Sequence, residues 1–472
     1  MANNSNQDLQ RVLRTRDVIM LAFGAMIGWG WVVSSGQWIQ AGGVLGTVLG
    51  FMIGGIMIYL VGLTYAELTP AMPKSGGAMN FSYAAFGPTG SYITIWALAL
   101  SYIGVVCFEA CSFATIMQYV VPDFLQGYLY TVAGYDVYLS WVAVAIIASL
   151  LIIYVNYLGT KTAARFQNIL TSIIAGVGLI LVAGSAFNGD VENLTVQAFV
   201  GESTGNIISN IFKVAIMTPF FLFGFDIIPQ AAEEINVPLK RLGRLMVLSI
   251  ALAVIFYAMV VVAIGLLMNP AMIQASMAST GMVTADAIAV AFSNAAMTKV
   301  LIIGGLCGIV TTWNSFLIGG SRVLFSMSKV RMLPSIFSRL HPKYKTPYVA
   351  ILFLGAMSIV APFFGRVMLV WIVDAANFAC CVAYGLVALS FLVLRKKRPD
   401  MPRPYRVSNG MLVGVLATIM ASFMAVMYII PGTNCSLIWQ EWVIVGGWTF
   451  VGLFLGIRAK RLYKQNFCTG MD

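Results

Sequence analysis

Twelve separate runs of apolar residues, each roughly 18–28 residues long, constrain this chain more than any other feature. A bilayer core takes about 20 helical residues to cross. Lipid offers the backbone no hydrogen-bond partners, so a spanning segment must be a helix or part of a closed barrel. Barrel strands would show about 10 residues of alternating polarity, and these runs do not alternate. The expected fold class is therefore an all-α membrane protein of about twelve transmembrane helices. Spans are expected at 17–41, 44–66, 90–120, 138–157, 167–187, 207–232, 244–268, 298–328, 347–364, 367–394, 410–431 and 436–458. Only 10% of the 472 residues are charged against 60% hydrophobic, where a soluble domain carries about 25% charged residues.

Charge then sets the topology. Twelve spans put both termini on one side, and 25 of the 28 Lys and Arg residues fall on that side. Lys213, Lys299 and Arg366 fall on the other. Such asymmetry is the positive-inside signature, and it predicts cytoplasmic termini in a cytoplasmic (plasma) membrane. The net charge of +11 is thus accounted for by topology, with the bilayer and its anionic headgroups as partner and no nucleic acid. The polar stretch 1–16 lacks a signal-peptide core, so the first span is expected to be retained. The segments 270–293 and 188–206 are the larger outer loops, the former with a short helix expected near 284–296.

Two spans are interrupted. Span 1 carries Gly24, Ala25, Met26, Ile27, Gly28, Trp29 and Gly30 at mid-membrane, and glycine weakens a helix there. Close helix packing through small residues would account for these glycines alone. Span 6 carries Pro219, Phe220, Phe221, Phe223, Gly224 and Asp226 at a matching depth. Breaks at corresponding positions of two halves point to an inverted-repeat transporter whose freed backbone groups bind substrate. Aromatic residues at both breaks suit a pocket wall or gate.

Three acids lie within spans: Glu109, Asp226 and Asp374. An intramembrane carboxylate is costly and marks function more often than packing. No Lys or Arg stands at mid-membrane to pair with them, which leaves that role to a substrate cation, a proton or a sodium ion. Thr312 and Ser315, in a run of polar residues from Thr311, could ligate an ion or simply bond between helices.

Other chemistries are missing. The lone histidine is His341, in a basic loop, and no Cys/His cluster has metal spacing. No GxxxxGK[ST] loop occurs. Neither a cofactor, a metal site, ATP-driven transport nor an enzymatic activity is expected. Seven cysteines (107, 111, 307, 380, 381, 435, 468), mostly inside apolar runs, suggest no disulfide framework.

The chain resembles the amino acid–polyamine–organocation family over nearly its full length. The resemblance rests on GAMIGWG (24–30), YAELTPAMPKSGGAMNFSYAAFGPTG (65–90), NYLGTKTAARFQNILT (156–171), FFLFGFDIIPQAAEEINVPLKRL (220–242), SRVLFSMSKVRMLP (321–334), TPYVAI (346–351) and LRKKRPDMPRPYRV (394–407). It implies a five-plus-five inverted repeat, 17–187 and 207–394, followed by two extra helices over 410–458, with cytoplasmic tails at 1–16 and 459–472. It also implies that backbone atoms around Ala25–Gly30 and Phe220–Gly224 hold the carboxylate and amine of an amino acid. Phe220 would be the gating aromatic residue, Asp226 a gating or proton-coupling acid, and Glu109 a contact to the substrate side chain. Asp374, Thr312 and Ser315 complete the expected gating or ion-coupling set. Trp29 replaces the small polar pair usual in the family after Gly28, and Ile174 stands where many proton-coupled members carry lysine. The function expected is alternating-access transport of an amino acid, cationic or amine-modified, by proton symport or substrate exchange. A polyamine or simple-amine exchanger is the alternative, since Glu109 and Asp374 would suit two ammonium groups. A substrate-sensing receptor or a channel is less favoured, because the tails are short and the helix breaks are paired.

Overall fold

The computed structural model describes residues 9–121, 123–432, 436–464 and 467–468. Cys435 and the outermost parts of both expected tails lie outside the described residues. The described residues form eighteen α-helices: α1 (Thr15–Met26), α2 (Gly30–Val33), α3 (Ser35–Gly42), α4 (Val44–Ala71), α5 (Gly77–Val120), α6 (Leu139–Tyr157), α7 (Thr160–Asn188), α8 (Val191–Val196), α9 (Thr204–Phe221), α10 (Ile227–Gln230), α11 (Leu239–Leu267), α12 (Pro270–Ser279), α13 (Val283–Phe292), α14 (Ala296–Lys329), α15 (Tyr348–Val360), α16 (Gly365–Lys397), α17 (Gly410–Ile429) and α18 (Trp439–Tyr463). Among the described residues, ten helical segments are long and apolar enough to cross a membrane. The remaining two expected spans are divided: the sixth into α9 and α10, the ninth into α15 and a 3-10 turn, Ala361–Phe364.

Several boundaries differ from expectation, each for a local reason. The expected third span, 90–120, is the far part of α5, which bends at Gly87. Gly87 adopts φ +75, open only to glycine at low cost, and Pro88 restarts the helix as a residue with no N–H to satisfy. The expected helix over 284–296 is α13, which ends at Phe292, and a further helix, α12, precedes it. Asn269 caps α12 by accepting from the Met272 N–H, and Pro270 opens it. A hairpin of β1 (Tyr128–Val132) and β2 (Tyr135–Tyr138) follows α5. Ala133 and Gly134 both take positive φ at its turn, as a tight hairpin requires.

The packing separates core from lipid-facing helices. α14 is buried over most of its length, and α5 and α16 pack along one another inside the bundle. α17 turns only small residues and one methionine inward (Gly410, Gly414, Ala417, Ala421, Met424), so it lies at the periphery. Leu150, Leu151 and Tyr154 on α6 and Phe450, Leu453 and Phe454 on α18 are exposed. Water would not tolerate so continuous an apolar exterior; hydrocarbon does.

One end of the bundle gathers the first and last described segments of the chain. Leu13 pairs with Ile235, Arg322 bonds Glu234, and Cys468 donates its N–H to the Val330 carbonyl. The hairpin and the α12–α13 loop lie at the opposite end.

Candidate functional site

The two interrupted helices meet. α1 ends at Met26, Ile27–Trp29 are non-helical, and the helix resumes at Gly30. α9 ends at Phe221, and the chain turns through residues 222–226 before α10. Gly224 sits in that turn at φ +130, and a Cβ placed on it would stand 2.7 Å from the Ala25 Cβ. Glycine is required here twice over, by dihedral and by space. Helix α14 approaches the first break equally closely: a Cβ on Gly308 would stand 2.6 Å from the Gly28 carbonyl oxygen.

The breaks leave backbone groups open. The carbonyls of Gly24, Ala25 and Met26 are taken by Thr311, Thr312 and Tyr257 hydroxyls at 3.0, 3.2 and 2.9 Å. Among the described residues, the N–H groups of Gly28, Trp29 and Gly30 find no backbone partner. They stand at the start of the resumed helix, where N–H dipoles favour an anion. The carbonyls of Phe220, Phe221 and Leu222 find no backbone donor either, and carbonyls at a helix end favour a cation.

Both breaks face one cavity of about 260 Å³. Ala25, Met26, Gly28, Trp29, Gly30, Glu109, Phe220, Phe221, Phe223 and Thr312 all line it. Its α5 wall runs from Ser101 to Tyr119, about 27 Å at 1.5 Å per residue, toward the hairpin end of the bundle. Tyr119 and Phe220 are the exposed members of its lining. Most remaining walls are apolar, including Val105, Phe108, Phe316, Leu369 and Val373. Glu109 is 6% exposed. Its Oε1 lies 3.9 Å from the Cβ position of Gly28, beside the first break rather than at the far wall. No salt bridge or hydrogen bond reaches its carboxyl among the described residues.

The other expected site residues lie outside the cavity lining. Ile27 is fully buried and points into the core. Gly224 serves as the contact to Ala25. Ser315 donates to the Leu21 carbonyl at 3.1 Å. Asp226 lies below the cavity, accepting from Tyr102 at 2.8 Å and Tyr384 at 2.7 Å. Asp374 lies beside Glu441 of α18, whereas Val373 and Asn377 of the same helix face the cavity. The structure therefore does not bring Glu109 and Asp374 together in one site.

The end that gathers the first and last described segments is closed. Arg322 is 1% exposed and donates to both Glu234 oxygens, while Thr160 bridges the pair at 2.7 Å from Nη2 and 2.8 Å from Oε1. Among the described residues, no group of three or more acids, histidines or cysteines has metal-binding geometry. Tyr257, Asn377, Ser101 and Phe316 line the cavity without having stood out in the sequence. They are common residues on unbroken helices, and only packing directs them inward.

Residues 13–454 match the family described as amino acid permease. The chain is 28% identical to the branched-chain amino acid permease BcaP of Bacillus subtilis, over 98% of its own length and 96% of that protein. It is 25% identical to the methylthioribose transporter of the same organism, covering 96% of this chain and 94% of the relative. It is 27% identical to the Asc-type amino acid transporter 1 of Mus musculus, covering 86% and 74% respectively.

Proposed function

The chain belongs to the amino acid permease family, and from that premise we propose that it carries an amino acid with a cationic or amine-modified side chain by alternating access. It is a multi-pass membrane permease and not an enzyme. The meeting of the two breaks at Ala25 and Gly224, beside open N–H groups at residues 28–30, carries the reading. The substrate's carboxylate is the anion that suits those N–H groups. Its ammonium suits the free carbonyls at residues 220–222. Glu109 adds a carboxylate without a protein cation, at the edge of an otherwise apolar chamber. A substrate ammonium, or a proton when the site is empty, fills that role.

The topology behind the cycle is twelve crossings, counting the interrupted segment 204–230 and the segment 348–364 with the ten longer helices. The first and sixth crossings are then corresponding members of two inverted five-helix repeats. The charge asymmetry puts both termini in the cytoplasm. The cavity accordingly opens outward, and the Glu234–Arg322 pair closes the cytoplasmic exit. Coupling is by proton or by exchange. Thr311, Thr312 and Ser315 already satisfy the carbonyls of α1 that a cation between α1 and α14 would need. The polyamine alternative loses its main support, because Asp374 lies outside the cavity lining.

A thermal-shift screen of the purified protein tests the reading, since a ligand that binds only the folded state raises its melting temperature. An α-amino acid is expected to stabilise the protein where its decarboxylated amine does not. Equal stabilisation by the two would overturn the carboxylate site.

A further inference from the structure

A second cavity opens at the end of the bundle that gathers the first and last described segments. It has a volume of about 430 Å³ and is walled by Pro238, Lys240, Arg241, Arg244, Leu245 and Leu248. We propose that it binds the phosphate of an anionic phospholipid drawn from the adjoining leaflet.

The charge is uncompensated. Lys240, Arg241 and Arg244 all fall within the first two turns of α11 and are exposed. None forms an ion pair with a carboxylate among the described residues. The first turn of α11 holds no acid either, although a helix N-terminus favours negative charge. Three cations and the helix dipole therefore repel one another until an anion enters. The neighbouring acid does not serve. Glu67 of α4 adjoins this turn, where a Cβ on Gly243 would stand 2.5 Å from the Ala66 carbonyl oxygen. Its carboxylate is already held by Arg395, by Arg403 at 3.0 Å and by the Val407 N–H at 2.8 Å.

The apolar part of the wall selects a lipid over a free phosphate. Leu248 continues along α11 from the cations toward the middle of the membrane and is 45% exposed, beside the buried Leu245. A free anion gains nothing from that surface, whereas a phospholipid lays an acyl chain along it. Tyr405 packs its ring 2.6 Å from the Cβ position of Gly243, next to Arg244. An aromatic ring with a polar tip beside basic side chains is the usual furniture of the headgroup level. Basic residues clustered at the end of a membrane helix attract phosphate headgroups by the same electrostatics.

Protein stripped of lipid in detergent is titrated separately with phosphatidylglycerol, phosphatidylcholine and inorganic phosphate, and the melting temperature is read. Phosphatidylglycerol is expected to raise it by several degrees beyond phosphatidylcholine. The triple variant K240Q/R241Q/R244Q is expected to lose that increment while melting like the parent in phosphatidylcholine. The charge-conserving K240R/R241K/R244K is expected to keep it. An unchanged increment in the glutamine variant would overturn the site. The same increment from inorganic phosphate alone would overturn the lipid and leave a free-anion site.

Discussion

Arg322 donates to both oxygens of Glu234, from Nε at 2.9 Å and from Nη2 at 3.0 Å, with both side chains almost wholly shielded from solvent. The pair joins α14 to the turn that follows the second helix break. Removing one partner of a buried pair leaves an uncompensated charge, at about 3–5 kcal/mol. The variant Glu234→Gln is therefore expected to lower the melting temperature by several degrees and to loosen the closed end. A cysteine introduced at Leu13, which pairs with Ile235, should then react faster with a water-soluble maleimide than it does in the parent. Unchanged labelling would show that this end is held shut by other contacts.

Gly224 faces a second test of position. Alanine there would have to adopt φ +130 and place its methyl 2.7 Å from the Ala25 Cβ. Backbone strain of this kind costs about 1–3 kcal/mol, and the clash pushes the two breaks apart. Gly224→Ala is expected to abolish uptake in proteoliposomes while the protein still reaches the membrane. By contrast Gly446→Ala, where a Cβ meets nothing within 4 Å, should transport normally. Uptake by Gly224→Ala at the level of the parent would show that the breaks need not touch.

Much of this arrangement is legible in the sequence, and the reasons for the rest are physical. Apolar run length and the distribution of Lys and Arg are one-dimensional signals, so the spans and the ordering of loops can be read directly. Both breaks are likewise announced by Gly28, Pro219 and Gly224. Contacts between distant segments are not announced. Tyr102 and Tyr384 are ordinary residues in apolar runs, yet they converge on Asp226 across 124 and 158 residues of chain. Arg322 falls near the end of the expected span 298–328 and counts there with the basic residues of one side; only the fold of the 231–239 turn buries it against Glu234. Asp374 shows the opposite limit: its depth in a span is readable, but the side of α16 on which it lies depends on where α18 packs.

Glu109 is the cavity carboxylate most able to sort substrates by charge. Its Oε1 lies next to Gly28, and no protein cation neutralises it. Replacing it with glutamine keeps the shape and removes the charge. Glu109→Gln is expected to weaken competition by a lysine-like substrate at least about ten-fold, equivalent to about 1.4 kcal/mol, while a leucine-like substrate changes less than about three-fold. Competition against a labelled substrate in proteoliposomes measures both. Equal losses for the two would assign Glu109 to packing or to the backbone end of the substrate.

Sodium should be dispensable. A cation seated between α1 and α14 would need the oxygens that α1 frees near its break. In the structure those oxygens are occupied: Leu21 by Ser315 at 3.1 Å, Gly24 by Thr311 at 3.0 Å and Ala25 by Thr312 at 3.2 Å. Ile174 of α7 is fully buried and adds no ligand. Displacing three hydroxyl bonds, each worth about 0.5–1.5 kcal/mol, would oppose entry of a weakly held ion. Uptake at fixed pH is therefore expected to be the same in sodium chloride as in choline chloride. An inward proton gradient or preloaded substrate is expected to raise it several-fold. A sodium requirement would show that the three hydroxyls rotate from donating to these carbonyls to coordinating the ion, and would move the coupling site to the α1–α14 contact.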